Sequence, residues 1–150
     1  MKIIGIISVL LMTAPSSWGC PSINGKFQCV ADQNKFELNI VSNQNELSIN
    51  GSALVPDGSW RQTESVILVG YRDPVTDVDY RGSCTGNSIN VLVNGKLRNS
   101  DGKMIANANA VMKVTQLRPS ALRFNTTTNV KPLDGRPFSS HKAEVNCTLN

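Results

Sequence analysis

A chain of 150 residues with 40% hydrophobic and 17% charged residues is too short for two comfortable domains and too apolar to stay disordered. Its net charge of +4 is unevenly spread: residues 20–80 hold four Lys/Arg against eight Asp/Glu, and residues 81–150 hold ten against three. The cations stand singly with no interleaved aromatics, which suits an acidic half pairing with a basic half across a sheet and argues against nucleic acid as a partner.

The chain opens with Met1-Lys2, an apolar run over residues 3–14, and a small-x-small site at Ser17-Trp18-Gly19. That is the pattern of a secretory signal peptide over residues 1–19, too short to span a bilayer as an anchor. A secreted or periplasmic location is therefore expected for a single domain over residues 20–150. All four cysteines, Cys20, Cys29, Cys84 and Cys147, follow this segment, and an even number in an oxidising compartment predicts two disulfides. Cys20 is also where a bacterial lipoprotein carries its lipid-acceptor cysteine. Ser17 stands where that pattern has Leu, and Trp18 where it has a small residue. Those departures and the even cysteine count argue against a lipid anchor at Cys20.

Beyond Cys20 the chain reads as short strands between tight turns. Asn24-Gly25, Asn50-Gly51, Asp57-Gly58, Asn94-Gly95, Asp101-Gly102 and Asp134-Gly135 all suit positive-φ turn positions. Alternation predicts strands over residues 26–31, 35–41, 46–50 and 66–72. In the next strand, residues 76–84, Val78, Tyr80, Gly82 and Cys84 share one face. Asp73, Asp77 and Asp79 echo the start of a calcium loop, but Arg81 and Ser88 occupy two required ligand positions, so no metal site is expected. A strand over residues 88–93 follows, and then the longest, residues 103–117. Here Met104, Ala106, Ala108, Ala110, Met112 and Val114 alternate with polar residues, which favours strand over helix despite the alanines. Residues 121–128 and 141–149 complete the set, with Ala143, Val145 and Cys147 on one face of the last strand.

The fold class expected is all-β: a single antiparallel meander closing into a barrel of about eight to ten strands. Gly25-x-Phe27 on the first strand resembles the Gly-x-aromatic opening strand of calycins, the lipocalin-like barrels. The wider run Cys20-Pro21…Gly25-x-Phe27-x-Cys29 resembles small exported bacterial barrels. The resemblance implies a barrel with an apolar interior and room for a ligand.

The cysteines allow three pairings. Sequence proximity and the Asn24-Gly25 turn favour Cys20 with Cys29, leaving Cys84 with Cys147. The rival links Cys29 with Cys147, because first and last strands are neighbours in a closed barrel. His141 is the only histidine and no GxSxG motif occurs, so no enzymatic activity and no cofactor are expected. What remains is a binding protein. One reading is surface recognition of an envelope polymer or protein, with Leu133 and Phe138 of the Pro- and Gly-containing segment 131–140 as anchors. The alternative is a carrier of a small apolar ligand, with Met104, Ala106, Ala108, Ala110 and Met112 lining a lumen and Leu133 and Phe138 near its mouth. A further alternative is an inhibitor of a cell-wall hydrolase, since periplasmic lysozyme inhibitors are also small disulfide-bonded barrels. The Ser-Gly-x-x-Tyr segment characteristic of those inhibitors is absent here.

Overall fold

The computed structural model describes residues 19–43, 45–68 and 73–150, so the expected signal peptide, Gly19 excepted, lies outside the described residues. Ten strands form one antiparallel sheet: β1 (Gly25–Ala31), β2 (Asn34–Ser42), β3 (Leu47–Ile49), β4 (Ser52–Leu54), β5 (Trp60–Val66), β6 (Val75–Thr85), β7 (Ser88–Arg98), β8 (Met104–Arg118), β9 (Ala121–Pro132) and β10 (Ser139–Leu149). Hydrogen-bonded order runs β4-β3-β2-β1-β10-β9-β8-β7-β6-β5. Chain neighbours are therefore sheet neighbours except β4 and β5, which form the two edges, and pairing of β1 with β10 curls the sheet nearly shut. The one seam lies between β4 and β5. This is the expected all-β meander, with two disulfides.

Period-two patterning explains the curl. On β8, Ala106, Ala108, Ala110, Met112 and Val114 are buried while Asn107, Asn109, Val111 and Lys113 face solvent. Phe27, Leu38, Ile40, Val78, Val91, Phe124 and Val145 complete the same inner layer. Asn50 and Gly51, at φ 50° and 84°, make the two-residue β3–β4 turn that Asn-Gly predicts.

One end of the barrel carries the β1–β2, β3–β4, β7–β8 and β9–β10 turns. The other end is closed by the N-terminal arm. There Ile23 is buried, its N–H donates to Ser42 Oγ at 2.7 Å, and Gln116 Nε2 donates to the Ser22 carbonyl at 3.1 Å.

Three expectations are corrected. The disulfides join Cys20 to Cys84 and Cys29 to Cys147, not Cys20 to Cys29 and Cys84 to Cys147. Strand register is the reason. Cys29 and Cys147 are direct partners on β1 and β10 with Cα atoms 4.0 Å apart, which leaves Cys84 at the end of β6 for the arm. Asn94-Gly95 is no turn but lies inside β7, where Gly95 gives room to a bulge in β6. A Cβ there would stand 2.4 Å from Val75 Cγ1 and 2.9 Å from the Thr76 carbonyl oxygen. The strand expected over residues 66–72 does not form as such. Val66 ends β5, Ile67 and Leu68 are irregular, and residues 69–72 lie outside the described residues.

Candidate functional site

The seam between β4 and β5 is the irregularity that shapes the interior. The five-residue linker between these strands folds onto β6 instead of letting them pair. Gly82 permits this, because its missing side chain leaves room for Leu54 and the backbone of Val55 and Pro56; a Cβ would lie 2.9 Å from Leu54 Cδ2 and 3.0 Å from Pro56 Cα. Gly58 N–H donates to the Gly82 carbonyl at 2.7 Å, and Val55 N–H donates to the Tyr80 hydroxyl at 3.4 Å. Asp57 accepts from Ser59 N–H at 2.9 Å and is ion-paired with Arg61, whose guanidinium holds the Asp57 carboxyl below the usual range. The linker is thus pinned at the arm end of the barrel, and the unpaired edges face each other toward the turn end.

Between them lies a cavity of about 540 Å³, within the size range of small-molecule sites. Its floor is Leu38, Tyr80, Val91, Val93 and Met112, side chains from β2, β6, β7 and β8. One wall is Phe36, Ile49 and Leu54; the opposite wall is Val66, Ile67 and Leu68. Polar residues are confined to the lip formed by the β1–β2 and β3–β4 turns: Asn34, Lys35, Asn50 and Ser52. Ile67 is 65% exposed although it borders the cavity, which places it at the mouth. The arrangement offers an apolar body and hydrogen-bonding groups at one edge.

Of the residues expected to line a lumen, Met112 borders this cavity. Ala106, Ala108 and Ala110 are buried and Met104 half-buried, but none of the four borders the cavity; they lie on β8 between the β7–β8 turn and Met112. Beside Ala108 in the ladder is Gly95, and Val75 and Val78 of the bulged β6 close over it. The alanine track is thus filled from a neighbouring strand. Phe27 is fully buried in the inner layer, while Trp60 is 52% exposed on β5. Leu133 and Phe138, 50% and 62% exposed, stand outside the cavity on the β9–β10 turn. Leu38, Tyr80, Val91 and Val93 escaped sequence reasoning as site residues because their alternation marks them only as inward.

Asp77, of the imperfect calcium pattern, has φ 49° at the β6 bulge. Its carboxylate accepts from Arg98 at 2.7 Å and lies 3.6 Å from Lys96, and the Arg98 hydrogen bond lowers its pKa. This joins the acidic half of the chain to the basic half. Asp79 faces Asn94 in the same ladder. Among the described residues, no group of three His, Cys, Asp or Glu is placed to hold a metal ion. His141 is exposed on β10, in register with Thr128. Among the described residues, the buried hydroxyls of Thr126 and Thr128 have no hydrogen-bond partner; they lie beside Met112 and Ala110 respectively.

No protein-family model, curated protein or solved structure matches the chain.

Proposed function

We propose that the protein is a non-catalytic binding protein that holds a small apolar ligand inside its barrel, as the lipocalin-like resemblance of Gly25-x-Phe27 implies. The observation that carries this reading is the 540 Å³ apolar cavity at the open seam. Well-packed interiors hold few voids larger than a water molecule, so a space of this size needs an occupant or a reason. Burial supplies the driving force: about 25 cal/mol per Å² of apolar ligand surface removed from water, before the cost of immobilising the ligand. The two disulfides support an exported protein working in an oxidising compartment.

Exposed Leu133 and Phe138 favour a second reading, recognition of an envelope polymer or protein at the β9–β10 turn. Titration with the neutral fluorescent probe N-phenyl-1-naphthylamine separates the two. Cavity binding gives saturable uptake of one probe per chain, lost in Val93→Trp, where the indole occupies the floor. Absence of saturable uptake, or uptake unchanged in Val93→Trp and lost in Phe138→Ser, overturns the cavity reading.

A further inference from the structure

Resting on the cavity reading, we propose that the ligand is a single-chain amphiphile with an anionic headgroup, its tail on the cavity floor and its charge beside Lys35. The distribution of polarity around the mouth carries this. The polar lining residues Asn34, Lys35, Asn50 and Ser52 belong to two adjacent turns on one lip, while Val66, Ile67 and Leu68 face them from the other. A ligand apolar throughout would leave that polar lip without a role. A ligand polar throughout would desolvate against the floor of Leu38, Val91, Val93 and Met112. The two requirements together describe an amphiphile held by its tail, with the head at the entrance.

The sign of the head follows from the donors. Among the described residues, Lys35 is the one charged residue lining the cavity, it is exposed, and it forms no ion pair there. Asn50 is already committed on its acceptor side: Oδ1 accepts from Asn39 N–H at 2.8 Å. Its amide NH₂ is what remains for a ligand. Beside the amide of Asn34 and the hydroxyl of Ser52, each able to donate or accept, the lip therefore holds a cation and a free amide donor and no carboxylate, a set suited to a carboxylate or phosphate head and not to an ammonium head. Keeping the ionic contact at the mouth also avoids taking a charge into the apolar interior. Lys35 belongs to the outward-facing set of β2, opposite to Phe36 and Leu38, so a long stem at the strand's end delivers the charge to the rim.

The test displaces N-phenyl-1-naphthylamine from the oxidised protein with tridecanoate, dodecyl phosphate and dodecanol, which share one dodecyl tail. At low salt at least one acid is expected to bind about fivefold tighter than the alcohol, the scale of a solvent-exposed ion pair, and the gap should shrink in 1 M NaCl. Lys35→Met should erase the gap, Lys35→Glu should reverse it, and neither should move the affinity for dodecanol. A preference for both acids assigns charge alone; a preference for one assigns that headgroup. Dodecanol binding as tightly as both acids, or acids indifferent to Lys35→Glu, overturns the headgroup assignment and leaves the cavity reading standing. Failure of all three amphiphiles to displace bound probe overturns the headgroup assignment, and failure of the probe itself to bind overturns the cavity reading.

Discussion

Replacing Gly82 with alanine tests whether the linker between β4 and β5 shapes the cavity. Gly82 lies on β6 away from positive φ, so alanine meets no backbone strain there and the effect is purely one of space. The new methyl would sit 2.9 Å from Leu54 Cδ2, 3.0 Å from Pro56 Cα and 3.3 Å from the Val55 carbonyl oxygen. Leu54 can rotate away, but Pro56 Cα and the Val55 carbonyl are backbone, so the linker must lift. Overpacking of this kind costs about 1–3 kcal/mol. For a chain of this size that lowers Tm by roughly 4 °C per kcal/mol. Because Leu54 lines the cavity, lifting the linker also displaces its wall, and probe affinity should fall with stability. Gly86→Ala is the control: φ is +59° with nothing within 4 Å of the added Cβ, so only left-handed backbone strain of about 1 kcal/mol is expected, with probe binding unchanged. Urea denaturation and probe titration of both variants decide the matter. A Gly82→Ala protein as stable as wild type would refute the reasoning.

Non-reducing peptide mapping should recover Cys20–Cys84 and Cys29–Cys147; Cys29→Ala with Cys147→Ala should cost up to about 5 kcal/mol in the chain-entropy model for a separation of 118 residues, read as a lower urea midpoint. Thr126→Val and Thr128→Val each remove a buried hydroxyl without a partner while keeping its shape, so each should raise stability by about 1 kcal/mol; a loss would mean that the hydroxyl is satisfied in solution. Asp77 has a folded pKa depressed by Arg98, so its stabilising contribution is complete above the ordinary Asp value of about 3.9 and fades as pH falls through the lower folded value. Asp77→Asn should therefore be less stable than wild type at pH 7, with the difference narrowing below about pH 4; a pH-independent difference would contradict the ion-pair role.

Much of the fold was legible because turn chemistry and alternation agree with each other. Strict alternation over β8 identified the inner face residue by residue, and Asn50-Gly51 marked the two-residue β3–β4 hairpin. Strands β4 and β5 were not legible. The first is three residues long, and the second, Trp60-Arg61-Gln62-Thr63-Glu64-Ser65-Val66, has no apolar face because it flanks the open seam. The disulfides were misassigned for a related reason: proximity in sequence favoured Cys20 with Cys29, whereas pairing depends on β1 lying beside β10. The cavity was harder still. Its walls gather from β2, the β3–β4 hairpin, the chain after β5, and the middles of β6, β7 and β8, so no local pattern announces it. The alanine track looked like a gap in sequence, yet the bulged β6 packs over Gly95 beside it. The actual gap opens where two strands fail to pair.

The most direct test of a ligand-holding barrel is methyl-resolved NMR of the oxidised protein titrated with dodecanol. Binding in the cavity predicts shift changes concentrated on Leu38, Leu54, Val91, Val93 and Met112, with Leu92, Val111 and Leu133 on the outer surface unmoved. Changes confined to Leu133 and its exposed neighbours, with the methyls of Val91, Val93 and Met112 silent at saturation, would contradict it.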